Sequence, residues 1–171
     1  NIPGGEIFTS LQTGVIDAAE WVGPFNDLVL GFHQVAKYYY YPGWQEPGPN
    51  LELIINQDAF NELPKDLQAM LRNASLAVNN DVLSEYTARN NQALKELVEV
   101  HQVQVRRLPD DVLAALKVIS DEKVQALVGD DPLNQRIFDS YQAYRRSVMD
   151  YNELSERAFH NTRAKLEGYA P

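Results

Sequence analysis

Two glutamates that lie beside tryptophans are the residues of this chain best suited to chemistry. Glu20 precedes Trp21 at the end of a predicted strand, and Glu46 follows Trp44 and Gln45 in a proline-rich loop. Two half-buried carboxylates need a counterion, because an unpaired buried charge is unfavourable. Calcium and sodium accept carboxylate oxygens together with backbone carbonyls, and Trp21 offers a carbonyl where the strand ends. The pattern indicates a cation site, with the alternative that either glutamate simply points into solvent.

Short elements within residues 1–56 are predicted to position these two glutamates. A helix is predicted from Glu6 to Thr13, ended by Gly14, and a second from Asn26 to about Phe32. The extended segments, predicted from branched and aromatic residues, are Val15–Val22, residues 35–41 and Leu51–Ile55. Between the last two segments lies the loop of Trp44 and Glu46, and loops held by rigid elements often carry binding residues.

Long helices are predicted for the rest of the chain. Apolar residues that recur at spacings of three, four or seven predict a helix of about 35 residues after Pro64. Residues 103–108 are predicted as a short strand, followed by a helix from Pro109 to about Val128 that Gly129 ends.

The last segment, from Pro132 to about Glu167, is predicted as one helix roughly 50 Å long at 1.5 Å per residue. Its apolar stripe needs a partner surface, such as another lobe or a second copy of the chain. The predicted organisation has three parts: a mixed α/β part at 1–56, a helical region with one short strand at 57–131, and the long C-terminal helix at 132–171.

Composition excludes several classes of function. The 171 residues carry a formal net charge of −9 and no basic run beyond two arginine pairs, so a nucleic-acid-binding surface is not expected. The sequence has no apolar stretch of about 18 residues and no leader-like N-terminus, which predicts a soluble mature chain. It also lacks cysteine, which rules out disulfides and thiolate chemistry.

One stretch resembles a known family: GGEIFTSLQTGVIDAAEWVGPFNDL, followed by KYYYYPGWQEPGP. It is similar to the solute receptors of tripartite ATP-independent periplasmic (TRAP) transporters, the DctP family. The similarity is to the branch that binds 2-oxo or 2-hydroxy monocarboxylates, such as pyruvate and lactate, with a metal ion. It is densest over residues 3–50 and looser beyond them.

The resemblance implies which residues bind the metal. The family's Asp-x-x-Glu-Trp motif falls on Asp17 to Trp21, which implies that the Glu20 carboxylate and the Trp21 carbonyl bind the cation. The Pro-Gly-Trp-x-Glu-Pro loop adds Glu46 as a metal ligand. We predict Glu20, Trp21 and Trp44 as substrate contacts, although Trp44 is equally compatible with packing of its loop.

The implied fold is the C-terminal half of a two-lobe α/β receptor, with short strands, long helices and a long C-terminal helix. The family's carboxylate-binding arginine and a further metal-binding glutamine are expected upstream of this chain, and no lysine or arginine precedes Lys37. Implied partners are a small carboxylate, the membrane permease subunits and a second copy joined through the C-terminal helix. The implied location is the bacterial periplasm.

Three functions follow from these observations. The first is substrate capture for import, with a bound calcium or sodium ion and no bond broken. The second is a helical dimerisation or interaction module without ligand binding, based on the final helix. The third is a metal-dependent enzyme, for which the sequence supplies no convincing general base.

Overall fold

The computed structural model describes residues 1–46, 48 and 51–168 of the chain. They form two compact units, Asn1–Pro109 and Asp110–Pro171. The predicted α/β class is confirmed, since helices predominate and one short parallel sheet is present. None of the helices in the described ranges is long and apolar enough to cross a membrane.

The first unit begins with two short helices. A 3-10 turn at Gly4–Glu6 leads into α1, Ile7–Thr13, which ends at Gly14 as predicted. Gly14 has φ 72°, a left-handed conformation that glycine adopts without steric penalty. The second helix, α2, spans Pro24–Val29 rather than starting at Asn26, because Pro24 occupies its first turn, where a missing N–H has no consequence.

The strands predicted at Val15–Val22 and Leu51–Ile55 are absent, and these predictions were wrong. Both segments lack regular structure, and apolar side chains such as Val15 and Ile54 are largely exposed. A strand needs a neighbouring strand to satisfy its backbone hydrogen bonds, and no described strand pairs with either segment.

The other two extended segments pair with each other. Strand β1, Tyr38–Tyr41, lies parallel to β2, Gln104–Arg107, with Tyr38 opposite Gln104 and Tyr41 opposite Arg107. The guanidinium of Arg106 lies 3.9 Å from the centre of the Tyr38 ring, a cation–π contact. The pairing confirms a strand within the segment predicted at 103–108. Of the segment predicted at 35–41 it confirms Tyr38–Tyr41, whereas Val35 has helical dihedral angles.

Two helices lie between these strands in the chain, because parallel strands require a long crossover. Helix α3 spans Gln57–Glu62, and α4 spans Lys65–Glu99, the long helix predicted after Pro64. Only Gln68, Ala93 and Leu97 of α4 are buried, whereas Met70 and Val78 of the predicted apolar stripe are exposed. The described core of this unit therefore lies towards the C-terminal end of α4.

The second unit is helical. Helix α5, Asp110–Val128, ends before Gly129, whose φ is 53°. Helix α6, Pro132–Leu154, is capped by the Asp131 carboxylate, which accepts the backbone N–H groups of Leu133 and Asn134.

A long C-terminal helix is confirmed, with one correction. It is interrupted at Ser155, where φ is −110° and ψ is −111°, and it continues as α7, Glu156–Glu167. The Ser155 hydroxyl donates to the carbonyl of Tyr151 at 2.9 Å, and such bonding to the preceding turn is associated with bent helices.

Two histidines stack where the chain after α2 meets the end of α4. The rings of His33 and His101 have centroids 3.9 Å apart, and Nε2 of His101 lies 3.6 Å from Oε1 of Glu96. Burial lowers the pKa of His33, the charge of His101 lowers it further, and the charge of Glu96 opposes both. Nδ1 of His33 is buried without a hydrogen-bond partner among the described residues.

Stability of the first unit should therefore fall with decreasing pH. Because the pKa of His33 is lowered in the folded chain, the unfolded chain binds its proton more readily, and folding is opposed below about pH 6.5. Urea unfolding measured from about pH 7 to about pH 5 should show this loss, and His33→Phe should remove part of it. His160→Phe, at an exposed site in α7, is the control. Equal pH dependence in parent and His33→Phe would contradict the prediction.

Candidate cation and carboxylate site

Trp21 is seated on the turn that begins the chain. A Cβ atom placed on Gly4 would lie 2.4 Å from Cη2 of Trp21, closer than real side-chain contacts allow. Glycine is needed at position 4 because the indole ring occupies that space. Trp21 as a whole remains partly exposed, at 38% of its full accessible surface. The segment that carries Glu20 and Trp21 is thus fixed on one side by the N-terminal turn.

On the other side, the same segment is fixed by α4. Oδ1 of Asn90 accepts the backbone N–H of Phe25 at 2.9 Å, and the Asn90 amide group packs against Gly23. The Phe25 ring meets Tyr86 edge-on, with 6.1 Å between centroids, and Arg89 lies over its face. These contacts hold the start of α2 against α4, three residues after Trp21.

A buried carboxylate lies near Glu20. Asp27 of α2 is only 9% exposed, and its Oδ2 accepts a hydrogen bond from the Tyr39 hydroxyl at 2.6 Å. Burial raises the pKa of Asp27, and the charge of Glu20 adds to the rise, whereas the Tyr39 hydroxyl and the Gly23 backbone oppose it. The same burial, together with Asp27, raises the pKa of Tyr39. Glu20 and Asp27 therefore create a local concentration of negative charge.

Trp44 and Glu46 follow β1, beyond Pro42 and Gly43. Both side chains are exposed, and so is Glu20, so the half-buried setting expected for the two glutamates was wrong. Neither Glu46 nor Glu20 forms a salt bridge with any described residue. No described contact joins Glu46 to Glu20, so the ligand set of Glu20, Trp21 and Glu46 stays a prediction. Pro47, Pro49 and Asn50 of this loop lie outside the described residues.

The chemistry of these groups fits a hard cation. Two carboxylates that have no cationic partner among the described residues, together with one backbone carbonyl, are oxygen donors of the kind that calcium prefers. In the part of the chain that the structure describes, no three histidine, aspartate or glutamate side chains gather as a metal site. Because calcium takes about six to eight oxygens, the remaining donors would have to come from a bound carboxylate, water or other parts of the receptor.

The sequence did not reveal which residues support this site. Asp27 lies in the first turn of α2, yet its partner is Tyr39, twelve residues later in the chain. Asn90 lies 65 residues from Phe25. The strand pattern offered one useful signal: alternating side chains should differ in burial, and Tyr39 is more buried than Tyr38, Tyr40 and Tyr41.

Comparison with known proteins identifies the family. Residues 1–131 match the DctP family, described as bacterial extracellular solute-binding protein, family 7. The chain belongs to this family. A monocarboxylate 2-oxoacid-binding periplasmic protein of Nostoc sp. is 35% identical over 160 residues, which are 94% of this chain and 44% of that protein.

Two solved structures share the fold of this DctP-family chain. A TRAP periplasmic solute-binding protein from Colwellia psychrerythraea, with bound calcium and pyruvate, is 39% identical with a TM-score of 0.88; 95% of this chain covers 49% of that one. One from Bordetella bronchiseptica RB50 is 32% identical with a TM-score of 0.92, and 100% of this chain covers 51% of it. That protein is a mixed-occupancy dimer, with copurified calcium and picolinate in one active site and the other site apo. The chain thus spans about half the length of these relatives.

The contact of the Trp21 ring with Gly4 can be tested by adding one methyl group at position 4. Gly4→Ala should displace the indole, shift the Trp21 emission to longer wavelength and lower the free energy of unfolding by about 1–3 kcal/mol. Gly4→Ala and its control, Gly5→Ala, are both made in a Trp44→Phe background, so that Trp21 is the tryptophan of this chain that emits. Gly5→Ala is the matched control, since a Cβ there meets nothing within 4 Å. An unchanged Trp21 spectrum in Gly4→Ala would show that the ring does not lie on Gly4.

Proposed function

We propose that this chain is part of the substrate-binding component of a TRAP transporter. It captures a small 2-oxo or 2-hydroxy carboxylate, of the pyruvate or lactate type, together with a calcium or sodium ion. Glu20, the Trp21 carbonyl and Glu46 hold the cation, and Glu20, Trp21 and Trp44 contact the substrate. The receptor acts in the bacterial periplasm and breaks no bond.

The observation that carries this proposal is uncompensated negative charge. Glu20 and Glu46 have no salt-bridge partner among the described residues, Asp27 lies buried near Glu20, and no lysine or arginine precedes Lys37. An anionic ligand placed there directly would be repelled. A cation between the protein carboxylates and the ligand carboxylate removes this repulsion and links ligand binding to metal binding.

A bound cation also explains selection of 2-substituted acids. A 2-oxo or 2-hydroxy oxygen and the adjacent carboxylate can both bind one ion as a chelate, whereas a simple acid offers the carboxylate alone. Pyruvate and picolinate, found in the two solved relatives, share this feature, because picolinate has a ring nitrogen next to its carboxylate. The pocket thereby distinguishes acids by the donor at position 2.

The proposal places this chain in a larger architecture. The chain spans about half of its relatives, and we propose that it forms the C-terminal half of a two-lobe receptor that closes on ligand. The opposite lobe supplies the arginine that binds the substrate carboxylate. The closed receptor then docks on the membrane permease subunits of the transporter.

Calorimetric titration of the protein in its complete natural reading frame tests the function. Pyruvate should bind the calcium-loaded protein and bind at least about tenfold more weakly after metal removal, because the ion bridges like charges. Glu46→Gln removes one ligand charge at constant size and should cause a similar loss. Glu62→Gln, an exposed glutamate of α3, is the control. Pyruvate binding that is insensitive to both metal removal and Glu46→Gln would refute the proposal.

We also propose that two copies associate through the C-terminal helix. Apolar and aromatic residues on α6 are exposed: Leu133, Ile137, Tyr141, Tyr144 and Tyr151. Their spacings of four, four, three and seven residues place them on one stripe, which favours packing against another helix. The dimeric Bordetella bronchiseptica relative is in line with this arrangement.

Sedimentation velocity over a range of protein concentrations tests the dimer. Ile137→Glu places a charge in the stripe and should weaken self-association at least about tenfold, since a buried unpaired charge is unfavourable. Ala143→Glu adds the same charge at an exposed position of α6 away from the stripe and should leave association unchanged. Equal association in both variants would exclude this face as the interface.

A further inference from the structure

The hydrogen bond between Asp27 and Tyr39 joins the two segments that carry the candidate cation ligands. Its donor is the Tyr39 hydroxyl on β1 and its acceptor is Oδ2 of Asp27 on α2, at 2.6 Å. Glu20 lies seven residues before Asp27, and Glu46 lies seven residues after Tyr39. The two ligand segments therefore extend from opposite ends of one buried contact.

Both residues of this contact are held by independent packing. Helix α2 is fixed to α4 through the bond from the Phe25 N–H to Asn90. Strand β1 is fixed to β2 by the parallel ladder and by backbone bonds just outside it, from Gln104 to Lys37 and from Leu108 to Tyr41. Helix α2 is held to α4 near its start and β1 is held to β2, so the bond between Tyr39 and Asp27 adds a direct link between α2 and β1 to these two constraints.

The chemistry of the contact makes the hydrogen bond strong and makes α2 sensitive to loss of the Tyr39 hydroxyl. A short hydrogen bond from a hydroxyl to a carboxylate is charge-assisted and stronger than a neutral one. Oδ1 of Asp27 already has no hydrogen-bond partner within the described residues. Removing the Tyr39 hydroxyl would leave the whole buried carboxylate poorly satisfied, and α2 would shift to hydrate it. That movement would carry the Glu20 segment away from the Glu46 segment.

We propose that Asp27 and Tyr39 are a positioning pair that sets the distance between Glu20 and Glu46 in the cation site. The inference rests on the proposed function, because it needs a cation bound by these two glutamates. Neither Asp27 nor Tyr39 contacts the ion; both act through the elements that present its ligands. Their effect resembles that of outer residues around other metal sites, which tune affinity through the geometry of the ligands.

The test compares Tyr39→Phe with Tyr40→Phe, its neighbour on the same strand. Tyr40 is 51% exposed, and its hydroxyl makes no hydrogen bond with the described residues, so its removal should change nothing. Calcium affinity is measured calorimetrically with calcium alone, in the complete natural reading frame. Tyr39→Phe should bind calcium about 10–100-fold more weakly than the parent, and Tyr40→Phe should match the parent.

Terbium luminescence separates positioning from stability. Terbium replaces calcium in oxygen-ligand sites, and its lifetimes in H₂O and D₂O give the number of bound waters. If Tyr39→Phe displaces a carboxylate ligand, bound terbium should gain about one water in its place. A purely structural role would lower the unfolding midpoint of Tyr39→Phe and leave both the calcium affinity and this water count at parent values, which would overturn the proposal.

Asp27→Asn provides the conservative comparison, and it serves also if Tyr39→Phe does not fold. Its amide oxygen still accepts the Tyr39 hydrogen bond, so calcium affinity and terbium hydration should stay close to those of the parent. A loss of calcium affinity as large as that of Tyr39→Phe would mean that Asp27 acts through its charge and not through its position, and would overturn the proposal.

A parent that binds no calcium would contradict the proposed function, whereas calcium binding that Tyr39→Phe leaves unchanged would contradict this inference alone.

Discussion

The candidate site depends on negative charge that has no cationic partner in the part of the chain that the structure describes. Asp27 is buried beside the Tyr39 hydroxyl, and the charge of Glu20 acts on it from the preceding segment. The fold tolerates the buried acid because a strong hydrogen bond satisfies one oxygen, and because its raised pKa reduces the charge that must be buried. Glu20 is exposed and has no cationic partner among the described residues, so its carboxylate is accessible to a cation.

The site is assembled from contacts between elements distant in the chain. The indole of Trp21 lies on Gly4, Asn90 of α4 receives the Phe25 N–H, and Tyr39 of β1 reaches Asp27. Each contact fixes the backbone that carries a candidate ligand and leaves the ligand's own side chain exposed. This combination of a rigid frame and accessible carboxylates suits reversible binding, in which an ion and its substrate must enter and leave.

The elements that the sequence predicted well have local causes. Pro64 marks the start of α4, and Gly14 and Gly129 end α1 and α5. Strands depend on partners elsewhere, so Val15–Val22 and Leu51–Ile55 satisfied the local pattern without forming strands. The interruption at Ser155 had no local signal, since no proline or glycine lies near it. The sequence also did not predict the supporting roles of Asp27, Tyr39 and Asn90, because these residues meet their partners only in the folded chain.

The most direct test of this account is a crystal structure of the protein in its complete natural reading frame, grown with calcium and pyruvate, with the ion located by anomalous scattering. The account predicts a calcium ion about 2.3–2.6 Å from carboxylate oxygens of Glu20 and Glu46 and from the Trp21 carbonyl, with pyruvate chelating the same ion. Pyruvate bound without a cation, or a cation that touches neither glutamate, would contradict it.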